Sequence, residues 1–138
     1  MKHRPFTRRL MVAVSALGVL GTLGAAHGQA RIDSESVTLD VARKELESGT
    51  SRVIDIREPQ EHATGVAPGV QLLPMRQLAS RISEIPNDPK QPVLLICNTQ
   101  TRSGATYKYL REKGYTNVRF VQGGMSEWAR RAWPMVKP

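Results

Sequence analysis

The run Val93–Ile96 is the feature that most restricts how this chain of 138 residues can fold. It is apolar at every position, follows Pro92 and ends at Cys97. A strand that is apolar on both sides has both faces buried, which is typical of the middle of a parallel sheet covered by helices. We therefore predict a strand over 93–96 at the centre of a parallel α/β sheet.

The rest of the chain alternates between strand and helix patterns. Short β-branched runs are followed by segments with helical spacing, such as Leu78, Ile82 and Ile85, a stripe that Pro86 ends. This alternation predicts a three-layer α/β fold, a small parallel sheet with helices on both faces. The predicted strands cover 37–39, 52–56, 70–73, 93–96 and 118–121, and the predicted helices cover 41–48, 58–64, 78–85, 103–113 and 125–131.

The first thirty residues have the layout of a secretory signal peptide. Basic side chains, the pair Arg8-Arg9 among them, precede an uncharged stretch over 10–26 and then a run of small residues. We predict cleavage between 26 and 30, a single domain over 31–138, and export, with the bacterial periplasm as the compartment. The arginine pair leaves both the general and the twin-arginine route open. The alternative is an uncleaved membrane anchor, for which this stretch is at the lower limit of length.

Much of the net charge of +8 belongs to this segment. Without it the twenty basic residues fall to sixteen, against twelve acidic residues, and the net charge is +4. The remaining charges are mixed in sign, so we predict no nucleic-acid partner, and no membrane partner after cleavage. His62 would be the one histidine left, and we expect it at the surface. No metal-ligand cluster is visible in the sequence, and we predict no metal.

Cys97 is the single cysteine and lies where the apolar strand meets a predicted helix. Loop N–H groups and a helix N-terminus favour an anion there, and they favour the thiolate, which is the reactive form. Arg102 adds a cation that can fork onto an oxyanion. The alternative is a buried structural thiol. With one cysteine there is no internal disulfide, and any sulfur that Cys97 takes must leave to another molecule.

These patterns nominate a set of site residues, with Cys97 as the nucleophile. Ser103 is expected to be the helix N-cap, with a hydroxyl that can also reach the thiolate. Asp55 and Arg57 end a neighbouring strand and are candidates for support of the site, although the preferred interpretation is an Arg57–Glu61 ion pair that fixes the loop. The predicted anion-binding residues are the six that follow the cysteine: Asn98, Thr99, Gln100, Thr101, Arg102 and Ser103.

Several short motifs follow one another in a specific order. They are Asp55-Ile56-Arg57-Glu58-Pro59-Gln60-Glu61, the loop from Gly65 to Gly69, the residues from Cys97 to Gly104, and Gly123-Gly124 with Trp128 and Trp133-Pro134. Together these segments resemble the rhodanese family over about 37–138, and most of all the small exported single-domain rhodaneses, which are thiosulfate sulfurtransferases. The resemblance implies a cysteine that takes sulfane sulfur from a small anionic donor such as thiosulfate. It also implies that the resulting persulfide passes its sulfur to cyanide or a thiol, a protein thiol included, without any cofactor.

Loop length bears on the choice between two chemistries. Four residues separate Cys97 from Arg102. The pattern of cysteine phosphatases has five residues between the cysteine and the arginine, so the shorter loop favours sulfur transfer over phosphate ester hydrolysis. A second alternative is a rhodanese-like module that carries or binds sulfur without turnover. Compared with many active family members, the loop lacks an internal glycine and a second basic residue. A less cationic rim predicts weaker binding of thiosulfate.

Overall fold

The computed structural model describes residues 35–138. The predicted signal peptide over 1–30 and its cleavage site lie outside these residues. The strands within these residues are β1 (Ser36–Val37), β2 (Arg52–Asp55), β3 (Gln71–Leu72), β4 (Val93–Ile96) and β5 (Val118–Val121). They form one parallel sheet in the order β1-β5-β4-β2-β3, so β4 is central as predicted. The helices are α1 (Leu39–Ser48), α2 (Pro59–His62), α3 (Thr101–Glu112) and α4 (Gly124–Arg130), with 3₁₀ turns at Met75–Gln77 and Ile82–Glu84.

The side chains of β4 alternate between two separate cores. Val93 and Leu95 pack with Tyr107 and Leu110 of α3 on one face of the sheet. Leu94 and Ile96 face the opposite core, which α1 and α4 cover. All four strand residues are buried because each face of the strand meets a helix layer. The predicted three-layer α/β fold is confirmed.

The two tryptophans differ in burial. Trp128 of α4 is 3 % exposed, whereas Trp133 is half-buried and packs edge-on against it with ring centroids 4.9 Å apart. None of the helices within 35–138 is long and apolar enough to cross a bilayer.

The helix expected over 78–85 is wrong as a continuous helix. The chain instead makes two 3₁₀ turns with Arg81 between them at φ −117° and ψ 16°, outside the helical region. The Arg81 guanidinium donates to the carbonyl oxygen of Leu72 at 3.3 Å. Leu78 and Ile85 are nevertheless buried, so the stripe describes which side chains enter the core and not the backbone path.

Candidate active site

Cys97 follows β4 at its carboxyl end, and its side chain is buried. The backbone N–H of Ser103 donates to Sγ at 3.4 Å, and the Ser103 hydroxyl oxygen lies 3.4 Å from Sγ. The expectation that Ser103 is the N-cap is wrong, because α3 begins at Thr101 and Gln100 is the capping residue. Ser103 is therefore in the first helical turn, where its N–H has no partner within the helix and is available to the sulfur.

The N-terminal turn of helix α4 is hydrogen-bonded to the cysteine loop. The N–H groups of Met125 and Ser126 donate to the carbonyl oxygens of Cys97 and Asn98 at 2.8 and 2.9 Å. In a trans peptide the N–H points away from the C=O, so the N–H groups of the next two residues are directed away from α4. Gly124 makes this approach possible: its φ is +56°, and a Cβ there would overlap three loop carbonyl oxygens.

The predicted anion-binding loop presents a run of backbone donors. Within the described part of the chain, the N–H groups of residues 98–102 have no hydrogen-bond acceptor. The side chains of residues 98–101 are exposed and uncharged. Backbone N–H groups without a protein partner are suited to bind an anion, and the helix N-terminus adds partial positive charge. The loop therefore offers its backbone, more than its side chains, to a ligand.

Arg102 is bound to a carboxylate whose pairing with it was not predicted from the sequence. Its two terminal nitrogens donate to the two oxygens of Glu61, each at 2.7 Å. Glu61 is also held by the N–H of Glu58 at 2.9 Å. The Arg102 hydrogen bonds lower the pKa of Glu61 from 4.5 to about 2, so this carboxylate is ionised at neutral pH. The pair is end-on, and the Nε–H of Arg102 is not used by it.

Asp55 and Arg57 form a buried ion pair beside the site. Nε and Nη2 of Arg57 donate to the Asp55 carboxylate at 2.7 to 3.1 Å, and Nη2 also donates to the carbonyl oxygen of Gly65 at 2.8 Å. The preferred interpretation, an Arg57–Glu61 ion pair, is wrong, because Arg57 reaches only the carbonyl oxygen of Glu61, at 3.4 Å. Asp55 and Arg57 thus tie the loop that carries Glu61 to the end of β2.

His62 is part of the same cluster, and its expected place at the surface is wrong. It is 4 % exposed, with Nε2 3.4 Å from Oδ1 of Asp55. It ends α2, a helix of one turn that begins two residues after the buried Arg57, and it therefore turns inward.

A recess opens beside the Arg102 guanidinium. It has a volume of about 460 Å³ and is lined by Glu58, Met75, Arg76 and Arg102. The N–H of Arg76 donates to Glu58 at 3.3 Å, so the loop after β3 is attached to the start of α2. A small molecule in this recess would be in contact with Arg102.

Two features of the site were missed from the sequence, and one of them left a signal. Glu58 and Glu61 have the spacing of a capping box, which places Glu61 at the N-terminal turn of α2 with its carboxylate fixed. Nothing local pairs that carboxylate with Arg102, which is 41 residues away. The close approach of Gly124 to the cysteine loop is likewise a tertiary contact.

Comparison with known proteins agrees with these segments. The family model for the rhodanese-like domain matches residues 38–131. A protein named sulfurtransferase from Allochromatium vinosum is 38% identical over 107 residues, covering 78% of this chain and 94% of that one.

Solved structures share the fold. A rhodanese-related protein from Thermoplasma volcanium has a TM-score of 0.66 and 24% identity, over 75% of this chain and 98% of that one. The human single-domain sulfurtransferase has a TM-score of 0.60 and 25% identity, over 71% and 97% of the two chains. With the family model, the relative and the fold in agreement, this chain belongs to the rhodanese-like domain family, as its sequence motifs predicted.

Proposed function

We propose that this protein is a sulfurtransferase in which the Cys97 thiolate takes sulfane sulfur from thiosulfate or a similar donor and passes it to cyanide or a thiol, a protein thiol included. The observation that carries the proposal is the environment of the buried Cys97 sulfur. This sulfur accepts a hydrogen bond from the N–H of Ser103, and the next five residues have backbone N–H groups without an acceptor among the described residues. The names of the Allochromatium and human relatives support the same class of activity.

The chemistry needs two displacements at sulfur. The Cys97 thiolate attacks the outer sulfur of thiosulfate, the sulfur–sulfur bond of the donor breaks, and sulfite leaves with the bonding electron pair. The cysteine is then a persulfide. Cyanide attacks its outer sulfur, thiocyanate leaves, and the Cys97 thiolate is regenerated. Because the chain has one cysteine, the second step occurs with another molecule.

The site residues take different parts in these steps. We assign donor binding to the N–H groups of residues 98–102 and to the unused Nε–H of Arg102, which together stabilise negative charge as it moves between sulfurs. We assign stabilisation of the thiolate to the N–H of Ser103, and to the Ser103 hydroxyl once its hydrogen turns from the carbonyl oxygen of Gln100 to the sulfur. Asp55 and Arg57 support the site at a distance by holding the Glu61 loop.

Turnover of thiosulfate and cyanide to thiocyanate tests the proposal. We expect the mature chain to turn over and Cys97→Ser to be inactive. A Cys97 persulfide that forms but is not discharged by cyanide or by a thiol would contradict the enzyme and favour a sulfur carrier. Hydrolysis of an aryl phosphate without sulfur transfer would favour the phosphatase alternative.

We also propose that residues 1–30 direct export and are removed between 26 and 30. The charged start, the apolar stretch and the small residues that follow support this. The test is the intact mass of the protein recovered from the periplasm after expression of the full chain in a bacterium. We expect the mass of a chain whose first residue lies within 27–31. A full-length protein retained with the membrane would contradict cleavage.

A further inference from the structure

The recess beside Arg102 is surrounded by charges that cancel. Two acidic side chains, Glu58 and Glu61, and two basic ones, Arg76 and Arg102, lie on or directly behind its lining. The loop residues 98–101 add no charged side chain. The steps assigned above use Arg102 and leave Glu61 without a role in donor binding.

Glu61 is placed to act on any anion that approaches Arg102. Its carboxylate is fixed from two sides, by both terminal nitrogens of Arg102 and by the N–H of Glu58. A donor that reaches the Arg102 guanidinium therefore meets a cation whose charge is already balanced by the Glu61 carboxylate, with 2.7 Å between nitrogen and oxygen. The repulsion from Glu61 grows with the charge of the donor, and it is only partly screened because the Glu61 side chain is 30% exposed.

We propose that Glu61 is a specificity-determining residue that selects sulfur donors by their charge. The site then takes sulfane sulfur from donors with a single negative charge, such as an organic persulfide, in preference to dianionic thiosulfate. This inference rests on the proposed function, since it concerns the donor that loads Cys97.

The preferred reaction balances without any further reactant. The Cys97 thiolate attacks the outer sulfur of the persulfide anion R–S–S⁻, and the bond between the two donor sulfurs breaks. The thiolate R–S⁻ leaves with the bonding pair, and Cys97 holds the transferred sulfur as the persulfide anion Cys–S–S⁻. The charge of the site is therefore the same before loading and after R–S⁻ has left. This donor brings one negative charge past Glu61, whereas thiosulfate must bring two.

The test compares two donors on two proteins. Loading of Cys97 is followed by intact mass over a series of concentrations of thiosulfate and of the persulfide of 2-mercaptoethanol, which has no charged group besides the persulfide. In Glu61→Gln the half-saturating concentration of thiosulfate should fall about five- to tenfold while the maximal loading rate changes less than about twofold. The half-saturating concentration of the organic persulfide should change less than about twofold.

A matched control separates this effect from general loss of an ion pair. Glu47→Gln removes a carboxylate that pairs with Arg43 on α1 at 2.6 Å, and it should change the half-saturating concentration of neither donor. If Glu61→Gln changes the half-saturating concentrations of both donors equally, Glu61 has a structural role and the inference is overturned. The inference is also overturned if Glu61→Gln changes neither concentration.

The unmodified protein gives a test that does not depend on the folding of a variant. Its half-saturating concentration should be lower for the organic persulfide than for thiosulfate, and the reverse order would overturn the inference. If neither donor loads Cys97, the proposed function fails together with this inference. If both donors load Cys97 with no charge preference, only the inference fails.

Discussion

The polar environment of the Cys97 sulfur comes from Ser103. Its N–H and hydroxyl oxygen both lie 3.4 Å from Sγ, and the hydroxyl is held in place by the carbonyl oxygen of Gln100 at 3.2 Å. The sequence indicated that this hydroxyl could reach the thiol but assigned it to the N-cap. The loop that α4 contacts decides where α3 begins. The residue type of Ser103 therefore predicted a contact with the sulfur, but it did not predict the position of Ser103 in the first turn.

The first prediction concerns this hydroxyl. When Cys97 ionises, the hydroxyl can turn from Gln100 and donate to the sulfur. Ser103→Ala removes this donor and leaves the N–H, so reaction of Cys97 with iodoacetamide at neutral pH should slow about tenfold, as expected for loss of one hydrogen bond to an anion. Ser80→Ala is the control, because that hydroxyl donates to Gln77 in an exposed turn. Equal alkylation rates in Ser103→Ala and the unmodified protein would show that the hydroxyl does not stabilise the thiolate.

The buried Asp55–Arg57 pair gives the second prediction. Asp55→Asn leaves the Arg57 guanidinium, 3 % exposed, without its counterion, so the free energy of unfolding should fall by about 3–5 kcal/mol in urea titrations. Asp40→Asn, which loses an exposed partner of Arg131, should change the stability little. Similar stability of the two variants would contradict the structural role given to Asp55.

At the scale of elements, β4 was the most predictable part of the fold. A run that is apolar at every position has few places to go other than the middle of a covered sheet, and β4 lies there. The segment 78–85 was less predictable, because its apolar spacing fits a helix while the backbone at Arg81 leaves the helical region and the Arg81 side chain donates to the carbonyl oxygen of Leu72. Apolar spacing therefore reports which side chains are buried and leaves the local backbone path open.

The packing of α4 against the cysteine loop gives the third prediction. Gly124→Ala should reduce the free energy of unfolding by about 3 kcal/mol or more, because the added Cβ meets backbone oxygens of the loop in addition to the strain of a φ of +56°. Gly114→Ala has a φ of +92° but open space, and it should cost only about 1–2 kcal/mol. Urea unfolding measures both, and equal losses would show that α4 does not constrain the loop.

For the whole molecule, the fold class and the family could be read from the sequence, whereas the electrostatics of the site could not. The loop from Cys97 to Ser103 is a local motif, and its neighbour α3 begins within it. The partner of Arg102 comes from α2, on the loop after a different strand, and only the parallel sheet brings the two together. The neutral charge balance beside the cysteine is therefore a property of the fold.

This ion pair also links the stability of the molecule to pH. The pKa of Glu61 is lowered to about 2, so its contribution is fully present above about pH 4.5 and is lost as the pH falls toward about 2. Because the pair is partly exposed, we expect a contribution of only about 1 kcal/mol.

Urea unfolding of the unmodified protein and Glu61→Gln, at about pH 6 and about pH 3, measures this contribution. The stability difference between the two proteins should shrink at the lower pH. A difference that stays constant would contradict the link between Glu61 and acid stability.

The most direct test of the sulfurtransferase assignment is the intact mass of the protein before and after exposure to thiosulfate or an organic persulfide, followed by cyanide. We predict a gain of one sulfur atom, absent in Cys97→Ser and removed by cyanide. No gain with either donor would contradict the assignment of Cys97 as the residue that carries sulfur.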